Sequence, residues 1–344
     1  MTMTELQKVL LFLGAALLVG LLAYYLWLSR SGRTRPKQGG APTPESALRE
    51  PTMGEPLAPD DTGFVLPQPE KKPGLDALID VIVPMSLDGP IAGELVLAAL
   101  PPTRRIGSKP FAVEGWNAQQ LVWEFPQAGQ RYAQLQAGLQ LANRAGALID
   151  IEFSEFVVKM QGLCDALGAT PDFPDMRGEI ARARELDQFA SEHDAQLGLV
   201  LRARRAGWSP GFVTQIAARQ GFVAGSIAGR MVLPGRGPGA PALVTLHVDA
   251  VAGAQDDPSL AALREVSLSL DVAQVDRCEQ AFVRLRDAAV IMARDMDGVI
   301  TDDNGVALSG EAMNLIAGEL EQLYDQLDQR ELAAGSVLAR RLFS

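Results

Sequence analysis

A chain of 344 residues with a formal net charge of −11 has one basic cluster, Arg30 to Lys37, and such acidity argues against a nucleic-acid partner, since phosphate binding needs clustered Lys and Arg. Its two histidines, His193 and His247, and two cysteines, Cys164 and Cys278, form no set with metal-ligand spacing, and no Ser/His/Asp arrangement stands out. The expectation is a protein without cofactor, metal or catalytic residue. Both thiols sit in helical, largely apolar patterns and read as buried and free, which suits a reducing cytoplasm.

Residues 1–8 are a short lead-in. Val9–Leu28 then gives twenty consecutive residues without a charge, roughly 30 Å as a helix, the thickness of a bilayer's hydrocarbon core. A cleaved signal peptide is a poor reading, because Tyr24, Tyr25 and Trp27 are too bulky for a cleavage site and suit a membrane interface. Arg30, Arg33, Arg35 and Lys37 follow, against Lys8 alone before the stretch. The positive-inside rule therefore predicts a single uncleaved anchor with its N-terminus outside and a cytoplasmic body. The same four cations can meet anionic lipid heads.

Residues 29–74 hold nine prolines in 46 positions and few large apolar side chains. Such a stretch cannot bury enough surface to offset ordering and reads as a disordered linker. Only Phe64-Val65-Leu66 suggests a short docking patch.

From Leu75 onward, alternation predicts strands at Asp76–Pro84, Arg104–Trp116, Gln120–Phe125 and Tyr132–Leu141, with a short helix over Gly93–Leu100. A helix starts at Ser154 as N-cap, and another runs over Arg177–His193. The pattern then restarts. A strand at Asp194–Leu201 precedes a helix opened by Ser209-Pro210, then strands at Val223–Leu233, Ala242–Val248 and Arg264–Val275. A helix over Cys278–Ala293, a short strand at Val299–Thr301 and a helix capped by Ser309 complete the series. Asp194 echoes Asp76, and Phe282-Val283 echoes Phe156-Val157, at near-equal spacing. This predicts a duplicated unit, residues 75–193 and 194–344. The predicted fold class is α+β: a transmembrane helix, a disordered linker, then one or two antiparallel-sheet units with helices on one face.

Two motifs invite chemistry. Asp295-Met-Asp297 looks like the first motif of haloacid-dehalogenase-like phosphatases, whose paired carboxylates work beside Mg²⁺ at the end of a buried strand. A helical pattern precedes it here, so a helix end and a glycine turn account for it better. The glycine-rich Leu233–Pro241 run lacks a following helix and a Lys, and reads as a hairpin loop rather than a phosphate cradle.

The order of elements from Asp194 to Leu332 resembles the C-terminal domain of the ZipA cell-division family. The stretches that carry this are Gly221–Ile227, Leu233–Leu243, Glu265–Val272 and Met296–Asp303; the first half matches as a diverged extra copy. The resemblance implies a non-enzymatic membrane tether that binds the C-terminal peptide of FtsZ on an open sheet face. It places the groove at Leu197 or Leu199, Ile227, Gly229, Thr245, His247, Asp249, Ser267 and Ser269. Several of these are polar where the family groove is apolar. An alternative copy of the site would use Phe111, Trp116, Trp123 and Phe125. A membrane-anchored phosphatase using Asp295 and Asp297, or a scaffold with another partner, are the other readings.

Overall fold

The computed structural model describes residues 74–236, 240–248 and 262–344. Residues 1–73, with Val9–Leu28, the basic flank and all but the last linker residue, lie outside them. Among the described residues no helix is long and apolar enough to cross a membrane. The expected fold class is corrected accordingly: the described chain is α+β with antiparallel sheets, and a transmembrane helix is no part of it. Its longest helix, Gly310–Gln329, carries Glu311, Glu319, Glu321, Asp325 and Asp328, a surface that hydrocarbon would not accept.

The first half contains β1 (Asp80–Ala92), α1 (Gly93–Ala99), β2 (Arg105–Ile106), β3 (Lys109–Asn117), β4 (Val122–Glu124), β5 (Arg131–Gln140) and a small hairpin, β6 (Ala142–Asn143) with β7 (Gly146–Ala147). Then come α2 (Asp150–Leu167), β8 (Ala169–Pro171) and α3 (Met176–His193). The second half contains β9 (Gln196–Ala203), α4 (Pro210–Arg219), β10 (Val223–Ala224), β11 (Arg230–Pro234), β12 (Ala242–His247) and β13 (Glu265–Asp271). It continues with α5 (Ala281–Asp295), β14 (Gly298–Thr301), α6 (Gly310–Gln329) and α7 (Val337–Leu342).

The first sheet runs β2-β3-β5-β1-β8, with β4 on β3, and the second runs β10-β11-β12-β13-β9-β14. In each, the half's opening strand lies between its last long strand and the short strand that follows the long helix. The two halves can be superposed on that short strand. It begins after a left-handed residue, Gly168 (φ 64°) or Asp297 (φ 50°), and its first residue pairs with Leu87 or Ala203. On this register Pro84–Gln136–Glu114 matches Val200–Ser267–His247, and Ile82–Gly138–Ala112 matches Gly198–Ser269–Thr245.

Residues opposite each other on neighbouring strands share a face. In the first sheet, Val81, Val83, Met85, Val113, Ala137 and Leu139 meet Phe156 and Met160 of α2 in the core. In the second, Leu199, Leu201, Val266, Leu268, Leu246 and Val244 meet Leu285, Ala289 and Met292 of α5. Each fully buried large side chain stabilises by roughly 1.5–3 kcal/mol.

Local chemistry sets the helix starts. Ser209, Ser309 and Ser336 accept from the backbone N–H three residues on, at 3.2, 3.1 and 3.1 Å, as N-caps do. Helix α2 starts ahead of Ser154. The Glu152 carboxylate accepts from Ile149 N at 3.3 Å and from Ser108 N at 3.0 Å, and Ser154 Oγ turns back to the Asp150 carbonyl.

Polar clamps join the halves. Arg144 reaches Asp194 at 2.6 Å and Asp271 at 2.7 Å. Arg341, on α7, holds the fully buried Asp80 of β1 in a two-pronged pair, with Nη1 2.9 Å from Oδ2. Gln140 Nε2 donates to the Arg341 carbonyl at 2.8 Å across the halves, while Gln274 Nε2, within the second half, donates to that of Phe343 at 2.6 Å and holds α7 in place. Burial pushes the Asp80 carboxyl above its usual range, and the Arg341 guanidinium works against that rise.

Candidate functional site

The sheet faces turned away from the helices differ in what lies on them. On the first sheet the chain's own entry segment crosses the face. Leu75 sits on Gly138, where a Cβ would stand 2.3 Å from Leu75 Cδ2. Leu75 N donates to Glu114 Oε1 at 2.9 Å, and Gln136 Nε2 holds the other Glu114 oxygen at 2.8 Å. One row along, Trp116 and Trp123 face each other across β3 and β4 with centroids 5.6 Å apart.

On the second sheet part of the same face is covered by the loop after β14. A Cβ on Gly198 would stand 2.9 Å from Asp303 Oδ1, and one on Gly305 2.5 Å from Arg202 Nη1. The rest of the face opens into a cavity of about 650 Å³. Val200, Ile227, Gly229, His247 and Ser267 line it, with Arg230 and Arg264 at its wall.

Ile227, Gly229, His247 and Ser267, named from sequence, thus come together in one cavity. Thr245 and Ser269 share their sheet face. His247 Nε2 lies 3.1 Å from Ser269 Oγ, and that hydroxyl donates to the Thr245 carbonyl at 3.5 Å, so its oxygen can accept from Nε2–H. Burial, and then the charge of Arg230, hold the His247 imidazole below its usual range. Neutral His247 is therefore a hydrogen-bonding group here rather than a cation at neutral pH. Leu199 is 3 % exposed and faces the helices with Leu197, which pairs with buried Leu270. Neither leucine belongs to the open face, because strand parity gives that face to Gly198, Val200 and Arg202. Asp249 lies outside the described residues.

The alternative set divides. Phe111 is 4 % exposed and packs on Phe156 with centroids 6.2 Å apart, so it fills its own core. Trp116 and Trp123 remain half-exposed on the open face, and Phe125 is half-buried just beyond β4. Of the two thiols, Cys164 is buried as expected, but Cys278 is exposed, because it lies in the turn before α5 rather than inside it.

Asp295 ends α5 with its carboxylate 2.9 Å from Arg294 Nε, and Asp297 occupies the left-handed turn into β14. A helix, not a buried strand, delivers them, which is the wrong support for a phosphatase nucleophile. Among the described residues no three His, Cys, Asp or Glu side chains could hold a metal ion.

Sequence reasoning missed Val200, Arg230 and Arg264. The signal for Val200 was available: Leu197, Leu199 and Leu201 alternate as a core row, which leaves Val200 to the other face.

No family model matches the sequence, and no curated protein matches it. Among solved structures the chain is similar to one described as the structure of FgChi7B, with a TM-score of 0.19 and 12 % identity over 75 % of this chain. The chain covers 56 % of that protein. A likeness at this level carries no argument about fold or activity.

Proposed function

We propose that the folded body is a non-catalytic recognition module, similar to the ZipA C-terminal domain. In this reading the open face of its second sheet binds the C-terminal peptide of FtsZ at the bacterial inner membrane. One observation carries it: Ile227, 53 % exposed, stands with Gly229, His247 and Ser267 around a cavity on a sheet face not covered by helices. An extended peptide laid there would bury an apolar side chain against Ile227 and Val200 and meet hydroxyl and imidazole groups beside it. Residues 9–37, with Arg30, Arg33, Arg35 and Lys37, lie outside the described residues, so location at the cytoplasmic face is a separate part of the proposal.

Co-sedimentation of the full chain with FtsZ filaments tests the reading. Pelleting is expected with intact FtsZ, to fall at least fivefold on Ile227→Asp, and to vanish when the FtsZ tail is removed. Pelleting that ignores the tail overturns it. A second reading, peptide binding on the first sheet, is favoured by the Trp116–Trp123 pair. Tail-dependent pelleting that survives Ile227→Asp and is lost in Trp116→Ala would move the site there.

A further inference from the structure

The duplicated sheets supply an internal template for what the second face binds. On the first sheet the occupant is this chain's own segment, and the contact that fixes it is an N–H donor. Leu75 N meets the Glu114 carboxylate, and Leu75 covers Gly138. At the matching row of the second sheet, Glu114 is replaced by His247 and Gln136 by Ser267. The strand beyond, β11, adds Arg230 directly opposite His247. Arg264 also lines the cavity and uses one nitrogen on the Arg205 carbonyl at 2.9 Å. Glu265 is the carboxylate among the described lining residues, and Arg202 lies 3.2 Å from it. Neither Arg230 nor Arg264 has a carboxylate partner among the described residues. Acceptor chemistry on the first face has become donor chemistry on the second, in a chain whose net charge is −11.

We infer that the second face selects an extended peptide bearing carboxylates, which Arg230 and Arg264 flank while an apolar side chain of the same peptide enters beside Ile227 and Val200. Charge complementarity carries the choice of occupant. Guanidinium groups pair with carboxylates through two parallel N–H···O bonds, and a cavity wall with two of them disfavours a neutral or basic peptide. The inference rests on the proposal that this face binds a peptide, but it does not need that peptide to come from FtsZ.

The test uses the full chain and three probes by fluorescence anisotropy: a synthetic FtsZ C-terminal tail, an alternating Asp-Leu peptide and its Asn-Leu counterpart. The Asp-Leu peptide is expected to bind at least about fivefold more tightly than the Asn-Leu one, with a preference that shrinks as salt is raised. Arg230→Gln and Arg264→Gln should each lose about fivefold, and the double variant should lose the preference. Both positions are exposed, so folding is retained and is checked by circular dichroism. Equal affinity for the two peptides, binding of neither, or a preference that survives the double variant overturns the inference. Asp-Leu selection without FtsZ-tail binding keeps the inference and removes FtsZ. FtsZ-tail binding indifferent to both arginines does the reverse. If phosphatidylglycerol vesicles capture the chain through these arginines while the peptides are not distinguished, the face is a lipid surface and the inference fails.

Discussion

The two open sheet faces share strand order and register yet are finished in opposite ways. The first is filled from within: Leu75 lies on Gly138, and Glu114 accepts its N–H. The second keeps a cavity at the row of His247 and Ser267, while Ser269, at the row of Gly138, pairs with Gly198 beside the loop after β14 and lies outside the cavity lining. One fold therefore serves once as a self-sealed wall and once as an open surface. The second sheet is entered from helix α3, which ends at His193 just before β9, rather than from an extended segment, and the residues on the face differ as well. A glycine lets the entry segment lie against the sheet, and a carboxylate holds a backbone N–H. Replacing them with a hydroxyl and an imidazole removes both features.

The largest effect is expected where the halves are clamped. Arg341→Ala leaves the Asp80 carboxylate, 0 % exposed, without its partner, and should cost about 3 kcal/mol in urea unfolding. The sign with pH follows from burial. Asp80 titrates above its ordinary value in the folded chain, so its protonated form is favoured there, and its contribution to stability is lost as pH rises through the folded pKa. Without Arg341 the pKa rises further. The variant's deficit should thus be greatest at neutral pH and narrow toward the acid side; a deficit that widens in acid would show that the pair is not what Arg341 supplies.

Gly138→Ala drives a methyl into Leu75 and should cost about 1–3 kcal/mol, with faster hydrogen exchange at Leu75 N–H. Ser269→Ala, its counterpart on the open face, should change stability by less than about 1 kcal/mol. Equal costs would mean that the second face is as filled as the first. Thiol labelling gives the smallest and simplest contrast. Cys164, on α2 in the first half, is buried, and burial pushes its thiol up to about 11. Cys278 is exposed in the second half, although Asp276 holds its thiol above the usual range. Iodoacetamide should therefore label Cys278 in the native protein and Cys164 only after unfolding.

What could be read from sequence was whatever depends on near neighbours. Alternation located β5, β12 and β13, and the serine caps located α4 and α6, because period and N-cap chemistry act within a few residues. Val223–Leu233 read as one strand but is broken into β10 and β11 by a turn in which Gly225 N donates to the Arg230 carbonyl and Gly229 takes φ 77°. Glu152 draws the start of α2 forward through a bond to Ser108, 44 positions away, and no local pattern announces such a contact. Helix α7 escaped notice for the same reason: six residues are too few to be helical alone, and distant packing holds them. For the candidate site, the polar rows of β12 and β13 were visible, while the parity of β9 was taken the wrong way. The arginines of the cavity wall come from a strand edge and a loop that only the folded chain brings together.

The grip of α7 on β1 has a consequence for the order in which the protein is made. Arg341 and Asp80 are 261 positions apart, and Gln140 reaches the Arg341 carbonyl across 201. A ribosome releases the strands of the first sheet long before it releases the residues that close over Asp80. Early in synthesis that half carries a buried-to-be carboxylate with no counter-ion, and the pair cannot form until Arg341 has emerged. Nascent-chain truncations just short of Arg341 should then remain protease-sensitive throughout the first half, although every strand of that half has already emerged.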